Sequence, residues 1–109
     1  MAGREARLAL NEAISRQINE RIKQSHKRAS RDGLIRMVCE CGHEGCEELI
    51  AISTEEYEEI RSDPLRFAVV KGHEFPDVEE VVAETDRYSV VRKTKEAGAS
   101  VASEVNPRA

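Results

Sequence analysis

The sequence predicts an α+β fold in which a long N-terminal helix precedes a small antiparallel sheet carrying one short inserted helix. Three observations predict it. Leu10, Ile14, Ile18 and Ile22 recur every four residues within residues 5–28, which is a helical period. Beyond residue 33 the apolar residues gather instead into short runs bounded by Gly, Pro and Asp, the length and punctuation of strands. Between two of those runs stands Ser53-Thr54-Glu55-Glu56, a capping-box signature that opens a helix.

Residues 5–28 contain no Gly or Pro, and their propensities favour helix. Ala6 and Ala13 widen the apolar row, and Arg7, Glu12, Arg16, Glu20, Arg21 and Lys23 are expected to form a solvated face. A row this narrow suits a helix lying on a partner. The rest of the chain is favoured as that partner over a second copy. The run from Ser25 through His26-Lys27-Arg28 to Gly33 breaks the period and reads as a basic linker ending at a turn. Residues 34–39 and 48–52 read as two strands of a hairpin around a Cys/Gly-rich stretch. The capped helix then runs to about Arg61 with Tyr57 and Ile60 facing in, and Asp63-Pro64 stops it. Residues 66–70 form a third strand, ended by Lys71-Gly72. Residues 78–83 read as a strand or a helical turn leading into one, and residues 88–92 as a strand paired with it across residues 84–87. From Thr94 onward Ala, Ser, Gly, Glu and Lys without periodicity predict a disordered tail. The chain thus divides into a helix and linker (1–33), a small compact domain (34–93) and a tail (94–109).

Composition narrows the function classes. The chain has 109 residues, 39% hydrophobic and 35% charged, with no Trp, two Phe and two Tyr. That is a thin core for a domain of a size that often needs a staple. The net charge of −4 hides an asymmetry: residues 1–36 carry a balance of +5, residues 37–86 of −12 and residues 87–109 of +3. No apolar stretch approaches the roughly 18–20 residues of a membrane span. Met1-Ala2-Gly3-Arg4-Glu5 opens without the apolar segment of a signal peptide. The three cysteines are an odd number, which argues against a secreted disulfide framework. A cytoplasmic protein with reduced thiols is expected.

Chemistry concentrates at Cys39, Cys41 and Cys46, with His73 after the third strand. Gly42 and Gly45 permit the tight turns that bring three thiols to one point. Zinc takes four tetrahedral ligands and prefers thiolate and imidazole, so a structural Cys3His site results. In a strictly extended strand Cys39 and Cys41 would point to one face about 7 Å apart. Sulfurs on one zinc lie within roughly 4 Å, so side-chain convergence or a kink at Glu40 must close the gap. His43 competes as the fourth ligand with a smaller closure cost, but it crowds the loop. Closing the longer loop to His73 costs on the order of 3 kcal/mol, against about 10–16 kcal/mol from structural zinc binding. His73 is therefore preferred. A ligating His donates its other ring N–H to a carboxylate or carbonyl, and Glu74 and Glu44 are the candidates. The competing readings are three cysteines packed as small hydrophobes, a reversible disulfide pair, or an iron–sulfur cluster, which usually takes four cysteines.

The same residues carry a resemblance. Met37-Val38-Cys39-Glu40-Cys41, Cys46, Ile50-Ala51-Ile52-Ser53, Glu56-Tyr57-Glu58, Arg61, Pro64, Arg66-Phe67 and Gly72-His73-Glu74 are similar to a family of short uncharacterised actinobacterial proteins. The likeness continues through Val78-Glu79, Val81-Val82, Tyr88 and Val90-Val91, and includes Asn19-Glu20-Arg21-Ile22, so it spans about residues 11–93. Met37 stands where that family usually has an aromatic residue, and Lys71 where it usually has proline. The resemblance implies a zinc-binding module and brings no activity or substrate with it.

For function, enzyme motifs are missing: there is no Gly-x-Ser-x-Gly, His-Glu-x-x-His, phosphate loop or Cys-x-x-Cys. Four available protein ligands argue for a closed, non-catalytic metal site. The favoured expectation is a zinc-stabilised interaction or regulatory module, meeting a protein partner or a second copy through the N-terminal helix. The alternatives are a nucleic-acid binder using the basic N-terminal segment, which the acidic middle of the chain opposes, and a thiol-based redox sensor.

Overall fold

The structure is a computed structural model that describes residues 4–25, 33–43 and 45–94. Its elements run α1 (Arg4–Ser25), β1 (Ile35–Val38), β2 (Leu49–Ile52), α2 (Thr54–Arg61), β3 (Arg66–Val69), β4 (Glu79–Glu84) and β5 (Ser89–Lys93). The class is α+β, as the periodicities predict. The expected end of the first helix near Arg28 and the tail beyond Thr94 lie outside the described residues.

Alternation decides the hairpin. β1 and β2 pair antiparallel with Ile35 opposite Ile52 and Met37 opposite Ile50, and those four side chains are buried. α2 is fixed at its start by the capping box: the Glu56 N–H donates to Ser53 Oγ (3.1 Å) and the Ser53 N–H to Glu56 Oε1 (2.9 Å). It lays Tyr57 and Ile60 onto the hairpin, and Ala68, Tyr88 and Val90 complete that core. Each such apolar side chain contributes about 1.5–3 kcal/mol by leaving water.

The remaining strands form a second sheet, so the single sheet expected from the sequence is two. The order is β3-β5-β4, all antiparallel, with an irregularity between Val81 and Ala83 that bends the edge strand. The sheets do not merge because the chain leaves the ladder after Val38. Past that point the Glu40 N–H donates to the Ala68 carbonyl (2.9 Å), and the Ala68 N–H donates to Glu40 Oε1 (2.9 Å). A buried carboxylate thus stands where the next backbone carbonyl of a continuous sheet would be.

The packing of α1 corrects the sequence reading most sharply. Leu10, Ile14 and Ile18 are 44–55% exposed, whereas Glu12, Arg16 and Asn19 are fully buried. Of the predicted apolar row Ile22 packs on the core, and Ala13 at its edge is buried. The buried polar residues are matched one by one. Asn19 donates from Nδ2 to the Val38 carbonyl and to Glu40 Oε2, and accepts from the Val38 N–H, each at 2.8 Å. Its amide so mimics a neighbouring strand on the free edge of β1. The Arg16 guanidinium lies over the Phe67 ring at 4.8 Å and donates to the Pro64 carbonyl (2.6 Å). Glu12 meets Lys93, which also pairs with Glu79 at 2.9 Å.

Candidate metal centre

Cys39 follows directly on β1, Cys41 and Cys46 lie in the loop to β2, and His73 follows the turn after β3. Two glycines in left-handed conformation make the convergence feasible. Gly42 has φ +77°, which turns the chain away from the strand direction after Cys41, and Gly72 has φ +89° in the turn closed by the His73 N–H on the Val70 carbonyl (2.9 Å). Glu40, between Cys39 and Cys41, is held by its bonds to Ala68 and Asn19.

The ligand atoms of Cys39, Cys41, Cys46 and His73 all lie within 4.8 Å of one another. His73 presents Nδ1 to the sulfurs, 3.6 Å from Cys39 Sγ and 3.8 Å from Cys46 Sγ. A tetrahedron with bonds near 2.0 Å to nitrogen and 2.3 Å to sulfur has N···S edges of about 3.6 Å and S···S edges of about 3.8 Å. The four atoms are therefore spaced to hold a metal ion.

Backbone N–H groups point at the sulfurs, while burial opposes their charge. The Val70 N–H donates to Cys39 Sγ at 3.1 Å and the His43 N–H to Cys41 Sγ at 3.4 Å. The Glu48 backbone N–H serves Cys46 in the same way. Each thiol faces a backbone donor, and for Cys41 and Cys46 that donor is two residues on. The Cys39 thiol, hydrogen-bonded to Cys41 and buried, holds Cys41 down to about 5, while the same bond and burial push Cys39 up. Burial likewise raises Cys46. Cys39 and Cys41 are buried, whereas Cys46 and His73 are half-buried and line a cleft with His43, Glu47 and Glu48.

The other site residues fall as follows. His43 is not among the four converging ligands. Its Nε2–H donates to the His73 carbonyl (3.1 Å) and its ring stacks on Phe75 (centroids 4.2 Å apart, planes 24°), so it braces the backbone of His73. The carboxylate on the far side of His73 is not Glu74. It is Glu48, whose Oε2 accepts from His73 Nε2–H at 2.9 Å, which leaves Nδ1 unprotonated toward the sulfurs. Glu44 itself lies outside the described residues. Glu48 was hidden because it directly precedes β2, and only the pairing of β1 with β2 brings it opposite His73.

Comparison of the chain with family models, with curated proteins and with solved structures finds no match. Among the described residues no helix is long and apolar enough to cross a membrane.

Proposed function

We propose that the protein is a small zinc-stapled interaction module without catalytic activity, its metal held by Cys39, Cys41, Cys46 and His73. The observation that carries this reading is the clustering of those ligand atoms within 4.8 Å. Three sulfurs and one imidazole favour zinc over oxygen-seeking cations. With four protein ligands no coordination position is reserved for water or substrate, so the metal's role is structural. It joins the β1–β2 loop to the end of β3, where Glu40 also ties the hairpin to the second sheet. Metal analysis of protein purified without a histidine tag tests the reading. One zinc per chain, with a fall in thermal stability on chelation, is the expected result; no bound metal and unchanged stability in chelator would refute it.

The interaction role rests on α1. Its outward face carries Leu10, Ile14 and Ile18 with exposed Arg7 and Arg21 in line with them. An apolar seam on a helix held in place by its opposite, polar side is suited to contact with a protein partner. Sizing the zinc-loaded chain over a range of concentrations separates self-association from a foreign partner.

A further inference from the structure

The side of α1 that faces the protein rests on the segment that carries the ligands. Asn11 Nδ2 donates to the Gly42 carbonyl at 3.3 Å. Gly42 sits so close to α1 that a Cβ there would lie 2.9 Å from the Leu8 carbonyl oxygen and from Glu12 Cγ. Two turns further on, Asn19 bonds both Val38 and Glu40. Between these two anchors lie Cys39 and Cys41. Every one of these contacts is short-ranged and directional, and the apolar residues that would hold a helix by area alone, Leu10, Ile14 and Ile18, point away. A hydrogen bond to a displaced acceptor is lost over a few tenths of an ångström, whereas apolar contact adapts.

We propose that metal occupancy and the seating of α1 are one linked equilibrium, transmitted through residues 38–42. With the four ligands drawn together, residues 38–42 present the Val38, Glu40 and Gly42 acceptors at the spacing Asn11 and Asn19 require. Without the metal the thiols repack, the acceptors shift, and α1 loosens while the sheets persist. Linkage is reciprocal: whatever the metal contributes to seating α1, a seated α1 returns as metal affinity. The inference rests on the metal reading above and names what the metal regulates, namely whether the outward seam of α1 is held rigid against the domain.

Two measurements test it. Zinc affinity is determined by competition with a chromophoric chelator for the wild type and for Asn19→Ala, which touches no ligand. Linkage predicts weakening on the order of tenfold; Asn11→Ala, an exposed and milder change, gives a smaller shift in the same direction if Asn19→Ala does not fold. In the second, the wild type is digested with trypsin with and without chelator. Arg16 is buried against Phe67 and Arg92 lies in β5 between β3 and β4, so a cut after Arg16 reports undocking of α1 and a cut after Arg92 reports opening of the sheet. Chelation is expected to accelerate the Arg16 cut at least tenfold more than the Arg92 cut. Equal acceleration of both, or equal zinc affinity in the wild type and the Asn variants, would overturn the linkage. Failure of the wild type to bind zinc at all would overturn the metal reading instead.

Discussion

Glu12→Gln should make the chain more stable, and increasingly so as pH rises. The Glu12 side chain is completely buried against Lys93, itself 1% exposed, and Lys93 also pairs with Glu79. One cation thus faces two carboxylates in a dry site. Glu79 is the better-served acid, because its Oε1 also accepts the Phe75 N–H at 2.9 Å. Glu12 is the one that stays protonated: burial, then the charge of Glu79, push its carboxyl from 4.5 to about 9, against the pull of Lys93. The unfolded chain releases this proton near pH 4.5 and the folded chain retains it to about 9. A raised carboxyl pKa therefore contributes stability that is present at low pH and is lost as pH climbs between those values. The slope is about 1.4 kcal/mol per pH unit for one proton, or roughly 3 kcal/mol between pH 5.5 and 7.5. Gln keeps the shape of a protonated Glu, with an N–H donor in place of its O–H, but has nothing to titrate. Urea unfolding of both proteins at pH 5.5, 6.5 and 7.5 isolates this site, since the metal ligands and all other groups cancel in the difference. The expected outcome is a gap that widens in favour of Glu12→Gln. A gap constant with pH would mean that Glu12 is ionised in the folded chain, and the argument from burial would fail.

Three further outcomes are expected. Glu48→Ala should weaken zinc binding by about ten- to hundredfold in chelator competition through the loss of the acceptor on His73, His73→Ala should weaken it further, and His43→Ala should change it least; a stronger effect at His43 would reassign the fourth ligand. Ser53→Ala removes the acceptor for the Glu56 N–H and should cost about 1 kcal/mol, read as a shift of the urea midpoint with unchanged slope. Ile14→Ser should leave stability within about 0.5 kcal/mol of wild type, because Ile14 is 55% exposed; a loss near 2 kcal/mol would show that the seam is covered in the isolated chain.

These outcomes divide along the line between what the sequence reveals and what it conceals. The capping box at Ser53 and the inward Tyr57 and Ile60 were legible because their causes are local: one turn of chain holds both donor and acceptor, or one helical period marks a face. The cysteines and His73 were legible because few residue types bind zinc and their scarcity in this chain makes them conspicuous. The division into two sheets was not, since it depends on where the hairpin turns away after Val38, and alternation says nothing of that. Neither was Glu48, whose role requires a strand pairing before it can be stated. The side of α1 that packs was misread for a deeper reason. Periodicity equates apolar with buried, an equation that holds when burial is driven by area. Here area does not place the helix.

A domain this poor in apolar residues could have covered its open side with Leu10, Ile14 and Ile18. Burying Glu12, Arg16 and Asn19 instead carries a desolvation cost that their partners must offset. The matching comes from the far end of the chain and from the metal loop together: Lys93 for Glu12, Phe67 and Pro64 for Arg16, Val38 and Glu40 for Asn19. Such a seat has one register, because a shift of α1 by a single turn would leave several buried groups unpaired at about 1–3 kcal/mol each. An apolar seat would tolerate that shift. The polar face thus fixes where α1 lies, and the apolar face remains outward for a contact beyond the domain. Arg16 and Lys93, one from each basic end of an acidic chain, are buried among these partners and not solvated.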